Sequence, residues 1–409
     1  MKKFDKILLG ILTSTALISC SKQEEFIAEN FDFAAKQTLR MVETMGENTW
    51  FPRTTLPDGS IKYTHANDWT DGFFPGSLWY LYEYTQDTTW RDYAQRWSNA
   101  MEKMKFVTWN HDVGFLMYCS FGNGYRLTQD STMRDVLVQS AKSLSTRFND
   151  TTGCIESWDS RRSWDGETFW DFPVIIDNMM NLELLYFASD ATGDSTYRNI
   201  ATRHALTTLK NHFREDFSSY HVVDYDIHTG EVLARQTCQG FADNSTWARG
   251  QAWAIYGFTM VYRFTRDPRF LDAAIGAANY YLGQLPQDKV PYWDFNVNSV
   301  GYDPDFEWDP HMFTEQPRDA SAAAIVSSAL FELRGYTDQY KGQYTQAAIE
   351  MLESLASERY RAPLYSNNNF LLMHCTGSLP HGSEIDQPLV YADYYFLEAL
   401  LRYRDLLRE

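Results

Sequence analysis

The chain has 409 residues, a formal net charge of −18 and an aromatic content of 16%, with 13 Trp and 26 Tyr. That charge excludes nucleic acid or a long polyanion held by bulk electrostatics, but not a small anion gripped by a few cations in a pocket. The aromatic side chains supply core, and also flat apolar faces on which sugar rings stack.

At the N-terminus Lys2, Lys3 and Lys6 precede an apolar run over 7–18, too short to span a bilayer comfortably. Leu17-Ile18-Ser19-Cys20 resembles a bacterial lipobox, so residues 1–19 read as a lipoprotein signal peptide and Cys20 as the lipidation site. The alternative is an ordinary signal peptide with an incidental cysteine. Residues 20–30 then form a tether and 31–409 one catalytic domain, the mature chain being 390 residues. Membrane attachment is expected through the lipid alone. The location is the bacterial cell envelope, periplasmic or at the outer-membrane surface, and Ser21-Lys22-Gln23-Glu24-Glu25 resembles acidic surface-export signals. Cys119, Cys154, Cys238 and Cys375 permit disulfides in such a compartment, although their spacing fits no disulfide or zinc pattern.

From there the pattern is helix after helix, with about twelve expected near 28–46, 72–85, 89–107, 114–127, 131–147, 175–191, 195–213, 247–264, 268–283, 319–336, 341–357 and 389–407. A punctuation recurs at Thr85-Gln86-Asp87, Thr128-Gln129-Asp130, Thr192-Gly193-Asp194, Thr265-Arg266-Asp267 and Thr337-Asp338-Gln339. It reads as one helix ending and a polar residue capping the next across a short turn. The last two intervals, 73 and 72 residues, are nearly equal, as in a repeated helical hairpin. Six hairpins closing on themselves give an all-α (α/α)6 barrel with long loops on the active-site face, the alternative being an open solenoid. The interruptions at 148–173, 214–246, 284–318 and 358–388 are those loops, and Tyr220 to Gly230 reads as a β-hairpin.

Within Val174-Ile175-Ile176-Asp177-Asn178-Met179-Met180-Asn181-Leu182 a single carboxylate stands in an apolar run with helical spacing. Burial raises a carboxyl pKa toward what a general acid needs near neutrality. The structural alternative is a buried Asp satisfied by neighbours such as Asn178 and Asn181. Asp112, in Asn110-His111-Asp112-Val113-Gly114-Phe115, is a second candidate acid or, equally, a helix cap. In Trp247-Ala248-Arg249-Gly250-Gln251-Ala252-Trp253 an Arg in the first helical turn can grip a carboxylate beside a Trp wall, or simply stack on Trp. Asp68-Trp69-Thr70-Asp71-Gly72-Phe73-Phe74-Pro75-Gly76 places polar caps before glycines that allow close backbone approach. The histidines His65, His111, His221 and His374 lack metal-ligand spacing, so no metal or other cofactor is expected.

Taken in order, these motifs resemble glycoside hydrolase family 88, the unsaturated glucuronyl hydrolases, from about residue 30 to the C-terminus, where Asp393-Tyr394-Tyr395-Phe396-Leu397-Glu398 closes the pattern. The resemblance implies an (α/α)6 barrel acting downstream of polysaccharide lyases on unsaturated glycosaminoglycan di- and oligosaccharides. It implies release of the 4,5-unsaturated uronic acid by hydration of its vinyl ether, with a proton to C4 and water to C5. It makes Asp177 the general acid/base and Asp112 the second carboxylate that orients the sugar and perturbs Asp177. His221 and Gln239 would contact the uronic ring and the water, Arg249 would bind substrate, and Trp69, Trp247 and Trp253 would line the pocket. Ser378 lies in a loop, 374–383, that in relatives governs the leaving sugar, and shows no plain sulfate site. Two other readings remain at this level: an unsaturated rhamnogalacturonyl hydrolase on pectin fragments, and a non-enzymatic surface lipoprotein that captures glycans.

Overall fold

A computed structural model describes the backbone of residues 4–163, 166, 168–304 and 306–409, and side chains from residue 22 onward except at 310. Cys20 and the stretch read as a signal peptide lie outside the residues whose side chains are described. The helices are α1 (Phe4–Met45), α2 (Phe73–Thr85), α3 (Thr88–Ala100), α4 (Val113–Met117), α5 (Asn123–Thr128), α6 (Ser131–Ser145), α7 (Leu182–Thr192), α8 (Ser195–Asn211), α9 (Ala248–Thr265), α10 (Pro268–Gln284), α11 (Ala320–Leu333), α12 (Lys341–Leu355) and α13 (Val390–Leu406). Short strands fill the loops: β1 (Phe51–Thr55), β2 (Ile61–Thr64), β3 (Phe148–Asn149), β4 (Cys154–Ile155), β5 (Arg161–Arg162), β6 (Phe169–Trp170), β7 (Pro173–Ile175), β8 (Val222–Tyr225), β9 (Val232–Gln236), β10 (Cys375–Ser378) and β11 (Ser383–Gln387).

The recurring Thr-x-Asp is a joint with a clear physical logic. At the first four occurrences the middle residue, Gln86, Gln129, Gly193 or Arg266, has φ of 56–77° and ends one helix in the left-handed region. The Asp carboxylate then accepts the backbone N–H two residues on, capping the next helix, at Thr89, Thr132, Thr196 and Arg269. The Thr hydroxyl accepts the Asp backbone N–H and so locks the turn. The fifth occurrence does not work this way, because α12 starts after Tyr340 without a side-chain cap.

These joints alternate inner and outer helices. α2, α9, α11 and α13 are buried along most of their length, whereas α3, α6, α8, α10 and α12 bury one face. The inner ring runs α2, α4–α5, α7, α9, α11, α13 and closes where α13 packs on α2. Glu398 of α13 ties four of these helices together, accepting from Tyr80 of α2, Tyr256 of α9 and Ser328 of α11 at 2.8, 3.0 and 2.5 Å. A cavity of about 470 Å³ around that carboxylate is walled by Glu83, Arg126, Arg263 and Arg402, near the C-terminal ends of the inner helices.

Several boundaries differ from expectation. α1 is one helix through residue 45, and Ile27 and Asn30 are already buried, so packing begins within the stretch read as tether. The helix expected over 114–127 is broken by a π-helical turn, Tyr118–Gly122, with the Tyr118 ring laid on Gly122. The helix expected over 175–191 begins instead as strand β7, then a 3-10 turn, Ile176–Asn181, before α7. The β-hairpin expected at 220–230 is present as β8–β9. Cys119, Cys154 and Cys375 are free thiols.

Gly72 shows how closely the inner elements meet, because a Cβ there would collide with the carbonyl oxygens of Phe115 and Leu116. Neither backbone oxygen can move without separating α2 from α4. We expect Gly72→Ala to destabilise by about 2–3 kcal/mol, seen as a fall of several degrees in Tm, while Gly342→Ala, which faces open space, leaves Tm nearly unchanged.

Candidate active site

Asp112 and Asp177 are brought together at the N-terminal ends of the inner helices. Gly114 makes this possible, since a Cβ there would lie 2.5 Å from the Cα of Asn181. The Asn181 side chain accepts the Phe115 N–H at 3.0 Å and so caps α4 from across the gap. Asp112 occupies the N-cap position yet makes no capping bond, which leaves its carboxylate for the site. Asp177 lies in the 3-10 turn and not inside an α-helix. Its position follows from strand pairing: β7 runs antiparallel to β8, and Ile176 N–H donates to the His221 carbonyl at 3.0 Å. Two glycines of α9, Gly250 and Gly257, let that helix press against Ile176 and Met179.

Both carboxyls are held above the ordinary carboxylate range. Burial pushes Asp112 up to about 8, and the charge of Asp177 adds to the rise, partly offset by the Asn181 amide. Burial pushes Asp177 up to about 7, against the pull of the Arg249 charge and of the Trp253 indole N–H, which faces it without reaching full hydrogen-bond geometry. The pair therefore keeps a proton through neutrality, and its titration steps belong to both groups together. Each side chain retains a small opening, 14% of its surface at Asp112 and 12% at Asp177. That is the window through which a substrate can meet them.

The histidines around the pair are neutral. His221 Nδ1 accepts the N–H groups of Cys238 and Gln239 at 3.0 and 3.2 Å, so the ring proton belongs on Nε2. Nε2 lies 3.7 Å from Asp177 Oδ2 and has no other partner among the described residues. Burial and then the Arg249 charge hold His221 well below the usual histidine range. His111, with Nε2 3.4 Å from Asp112 Oδ1, is lowered to about 3 by burial and the Arg147 charge.

Gln239 and Ser378 join the site through the β10–β11 hairpin: Gln239 Nε2 donates to the Gly377 carbonyl at 3.3 Å, and Ser378 Oγ meets His381 Nδ1 at 2.5 Å. Trp247 lies 4.6 Å from His221, and the half-buried Trp69 packs on Tyr391 and Phe115. Arg249 and Trp253 sit deeper than a clamp and a wall would. Arg249 is buried, bonded to Asp319 at 2.8 Å and to the carbonyls of Thr376 and Gly377, and it braces α11 and the β10 strand while its charge reaches Asp177. Sequence cannot show that Asp319, seventy positions on, consumes this guanidinium. Trp253 is fully buried against Phe115 and Tyr395, so it forms the floor beneath Asp177 and not a wall for stacking.

Other residues of the site escaped sequence reasoning. Arg53 bonds Asp68 and Glu384, and Asp68 adds to the rise at Asp112. Trp158 sets its ring edge-on to His221 at 6.1 Å. Neither lies in a motif with a local chemical signature. Among the described residues no group of three His, Cys, Asp or Glu side chains is placed to hold a metal ion.

Comparison with known proteins places the chain among relatives of one kind. Residues 43–358 match the model of Glycosyl Hydrolase Family 88. An unsaturated glucuronyl hydrolase of Formosa agariphila is 46% identical over 94% of this chain and 92% of its own. An unsaturated chondroitin disaccharide hydrolase of Streptococcus agalactiae is 33% identical over 92% of this chain and 91% of its own. A crystal structure of an unsaturated glucuronyl hydrolase specific for heparin superposes with a TM-score of 0.86 and 41% identity, covering 94% of this chain and 99% of that one.

Keeping Asp177 protonated has a consequence for stability. Unfolded, its carboxyl ionises near 3.8; folded, it holds its proton to about 7. Unfolding therefore releases a proton between these values. The contribution is whole below about pH 4 and is lost as pH rises through 7. We expect Asp177→Asn to remove this loss, so that the variant gains about 2–4 kcal/mol on wild type between pH 4 and pH 8, measured by denaturant melts at each pH. Parallel pH dependence in the two proteins would contradict the burial of this group.

Proposed function

The chain belongs to glycoside hydrolase family 88, and from that premise we propose that it releases 4,5-unsaturated uronic acid from the non-reducing end of lyase-generated glycosaminoglycan oligosaccharides. The observation that carries this reading is the carboxyl pair, Asp112 and Asp177, which holds a proton at neutral pH behind a small opening. The names of the relatives support the substrate class.

In the reaction Asp177 gives its proton to C4 of the unsaturated ring, and the double-bond electrons form the new C–H bond. The positive charge left at C5 is shared with the ring oxygen. Water adds at C5 and returns its proton to Asp177, so the acid becomes the base and is regenerated. The hemiketal opens, and the hemiacetal this exposes at C1 expels the leaving sugar as an alcohol. Asp112 orients the sugar hydroxyls, and its proximity to Asp177 disfavours ionisation of both. His221 presents a neutral N–H beside Asp177, suited to hold the water or the ring without competing for the proton. The closed floor of Trp253 and Phe115 keeps bulk water out from below.

The expected signature is loss of the enol-acid ultraviolet absorbance when wild type meets unsaturated chondroitin, hyaluronan or heparin disaccharides. Asp177→Asn is nearly isosteric and cannot donate the proton, so turnover should fall by a factor of at least about 100 with the fold intact. Near-wild-type turnover in that variant removes Asp177 from the chemistry. Turnover of rhamnogalacturonan disaccharides alone would move the substrate to pectin.

We also propose that the enzyme is lipid-anchored in the cell envelope through Cys20, supported by the basic residues, apolar run and Leu17-Ile18-Ser19-Cys20. Among the described residues no helix is long and apolar enough to cross a membrane. Cys20→Ala should leave the membrane fraction and lose the lipid, and unchanged fractionation would rule the anchor out.

A further inference from the structure

Arg147 stands just after α6, outside every motif singled out in the chain, yet its buried guanidinium uses all three nitrogens on two loops. Nε donates to the Glu156 carbonyl at 2.8 Å and Nη1 to the Thr108 carbonyl at 3.0 Å. Nη1 and Nη2 both reach Asp159 Oδ1 at 3.2 Å, and Nη2 reaches Glu156 Oε2 at 3.2 Å. A planar fork that bonds two main-chain carbonyls fixes the separation of the segments that carry them.

Each segment leads to one of the two carboxyls. Thr108 is four positions before Asp112, and between them the Asn110 side chain accepts the Asp112 N–H at 3.0 Å. On the other side Glu156 lies between Ile155 and Ser157, which hold the turn that bears Asp177. The Ile155 carbonyl accepts from the Asn178 amide at 2.8 Å, and Ser157 Oγ accepts the Ile175 N–H at 2.9 Å. Asp177 is therefore bracketed by bonds to the segment that Arg147 grips. The close contact of Gly114 with Asn181 joins the same two parts of the chain at a second point, just C-terminal to each acid. One contact leaves a pivot, and two remove it.

We propose that Arg147 is a positioning residue for the reaction: it ties the segment carrying Asp112 to the one carrying Asp177 and so sets the separation at which the two carboxyls act. This rests on the hydrolase reading given above. Arg147 bonds neither carboxyl itself. Its charge nonetheless gives the tie a readout. Burial raises Asp112 most, the charges of Asp177 and Asp68 add to the rise, and the Asn181 amide and the Arg147 charge oppose it. The neighbouring His111 is neutral, and Arg249 pulls on Asp177 in the same sense as Arg147 on Asp112. Loss of the Arg147 cation therefore moves the ionisation of the pair to higher pH, whereas loss of the fork with the charge kept does not.

The test measures kcat and KM against pH for wild type, Arg147→Gln, Arg147→Lys and Arg198→Gln on unsaturated glycosaminoglycan disaccharides, at a temperature where circular dichroism shows each protein folded. Arg198 is the control: it likewise bonds a main-chain carbonyl, of Phe264, and a carboxylate, Asp190, but on the outer helix α8. We expect Arg147→Gln to lower kcat by about 10- to 100-fold, with a smaller change in KM and the pH profile displaced to higher pH. Arg147→Lys should lower kcat less and leave the profile in place, because the charge remains and the planar fork does not. Arg198→Gln should lower Tm without either effect. A kcat loss in Arg147→Gln no larger than in Arg198→Gln, or a profile that stays in place, makes Arg147 an ordinary structural arginine. Wild-type kcat in Arg147→Lys makes it a charge and not a tie. Either result overturns the proposal. Should Arg147→Gln fail to fold, Arg147→Lys decides by itself, since loss of kcat with KM kept and the profile unmoved supports the tie and wild-type kcat overturns it. Wild type inert on every disaccharide overturns instead the hydrolase reading, and this inference with it.

Discussion

Keeping two carboxyl groups within reach of each other's charge and away from bulk water is the constraint on which this molecule turns. An ionised carboxylate in such a place is strongly disfavoured, and two are disfavoured further by their repulsion. The fold supplies the closeness through elements that could otherwise drift apart. Gly114 lets α4 touch Asn181, β7 pairs with β8 beside His221, and the glycines of α9 press that helix on the 3-10 turn. Each contact is backbone against backbone or against a short side chain, where rotamer changes offer little relief. Within that frame Asn181 caps α4 in place of Asp112, so a residue at a helix start is released from the duty its position would normally impose.

The surrounding charges are arranged to leave the proton on the carboxyl pair. Arg249 is close enough to draw Asp177 down, but Asp319 and two carbonyls hold its guanidinium and share its charge. His221 is denied a proton by burial and by the two backbone N–H groups that occupy Nδ1. The nearest basic groups are thus a spent arginine and a neutral imidazole. An acid so placed is poised to give a proton to carbon and take one back from water, which is what hydrating a vinyl ether demands. The same arrangement reduces stability as the pH rises, because the buried carboxyl must then ionise.

Much of the barrel was legible in the chain because its joints are local. Threonine, a left-handed residue and a capping aspartate lie within three positions, and each bond they make is to a neighbour. The two acids were legible for a related reason: a carboxylate in an apolar run conflicts with its surroundings, and such conflicts gather at functional sites. What escaped was long-range. The partners of Arg249 lie 70 and more than 120 residues away, so a buried strut looked like a substrate clamp. Trp253 looked like a wall because nothing in the chain says that Phe115 covers it. The helix expected at 175–191 opens as strand and 3-10 turn because pairing with β8 overrides its helical spacing. Trp158 stands in a loop without periodicity, and only the fold sets it edge-on to His221.

The most direct measurement is the infrared absorption of protonated carboxyl groups at about pH 6, taken as a difference between wild type and Asp177→Asn. Asp112, pushed up to about 8, and Asp393, raised to about 7 by burial, keep their protons at this pH in both proteins and cancel in the difference. We predict a positive protonated-carboxyl band in the wild-type-minus-variant difference, equal to one group and fading as pH rises through 7. A wild-type spectrum with only ionised carboxylate at this position would contradict the proton-holding pair and, with it, the hydration chemistry assigned to this site.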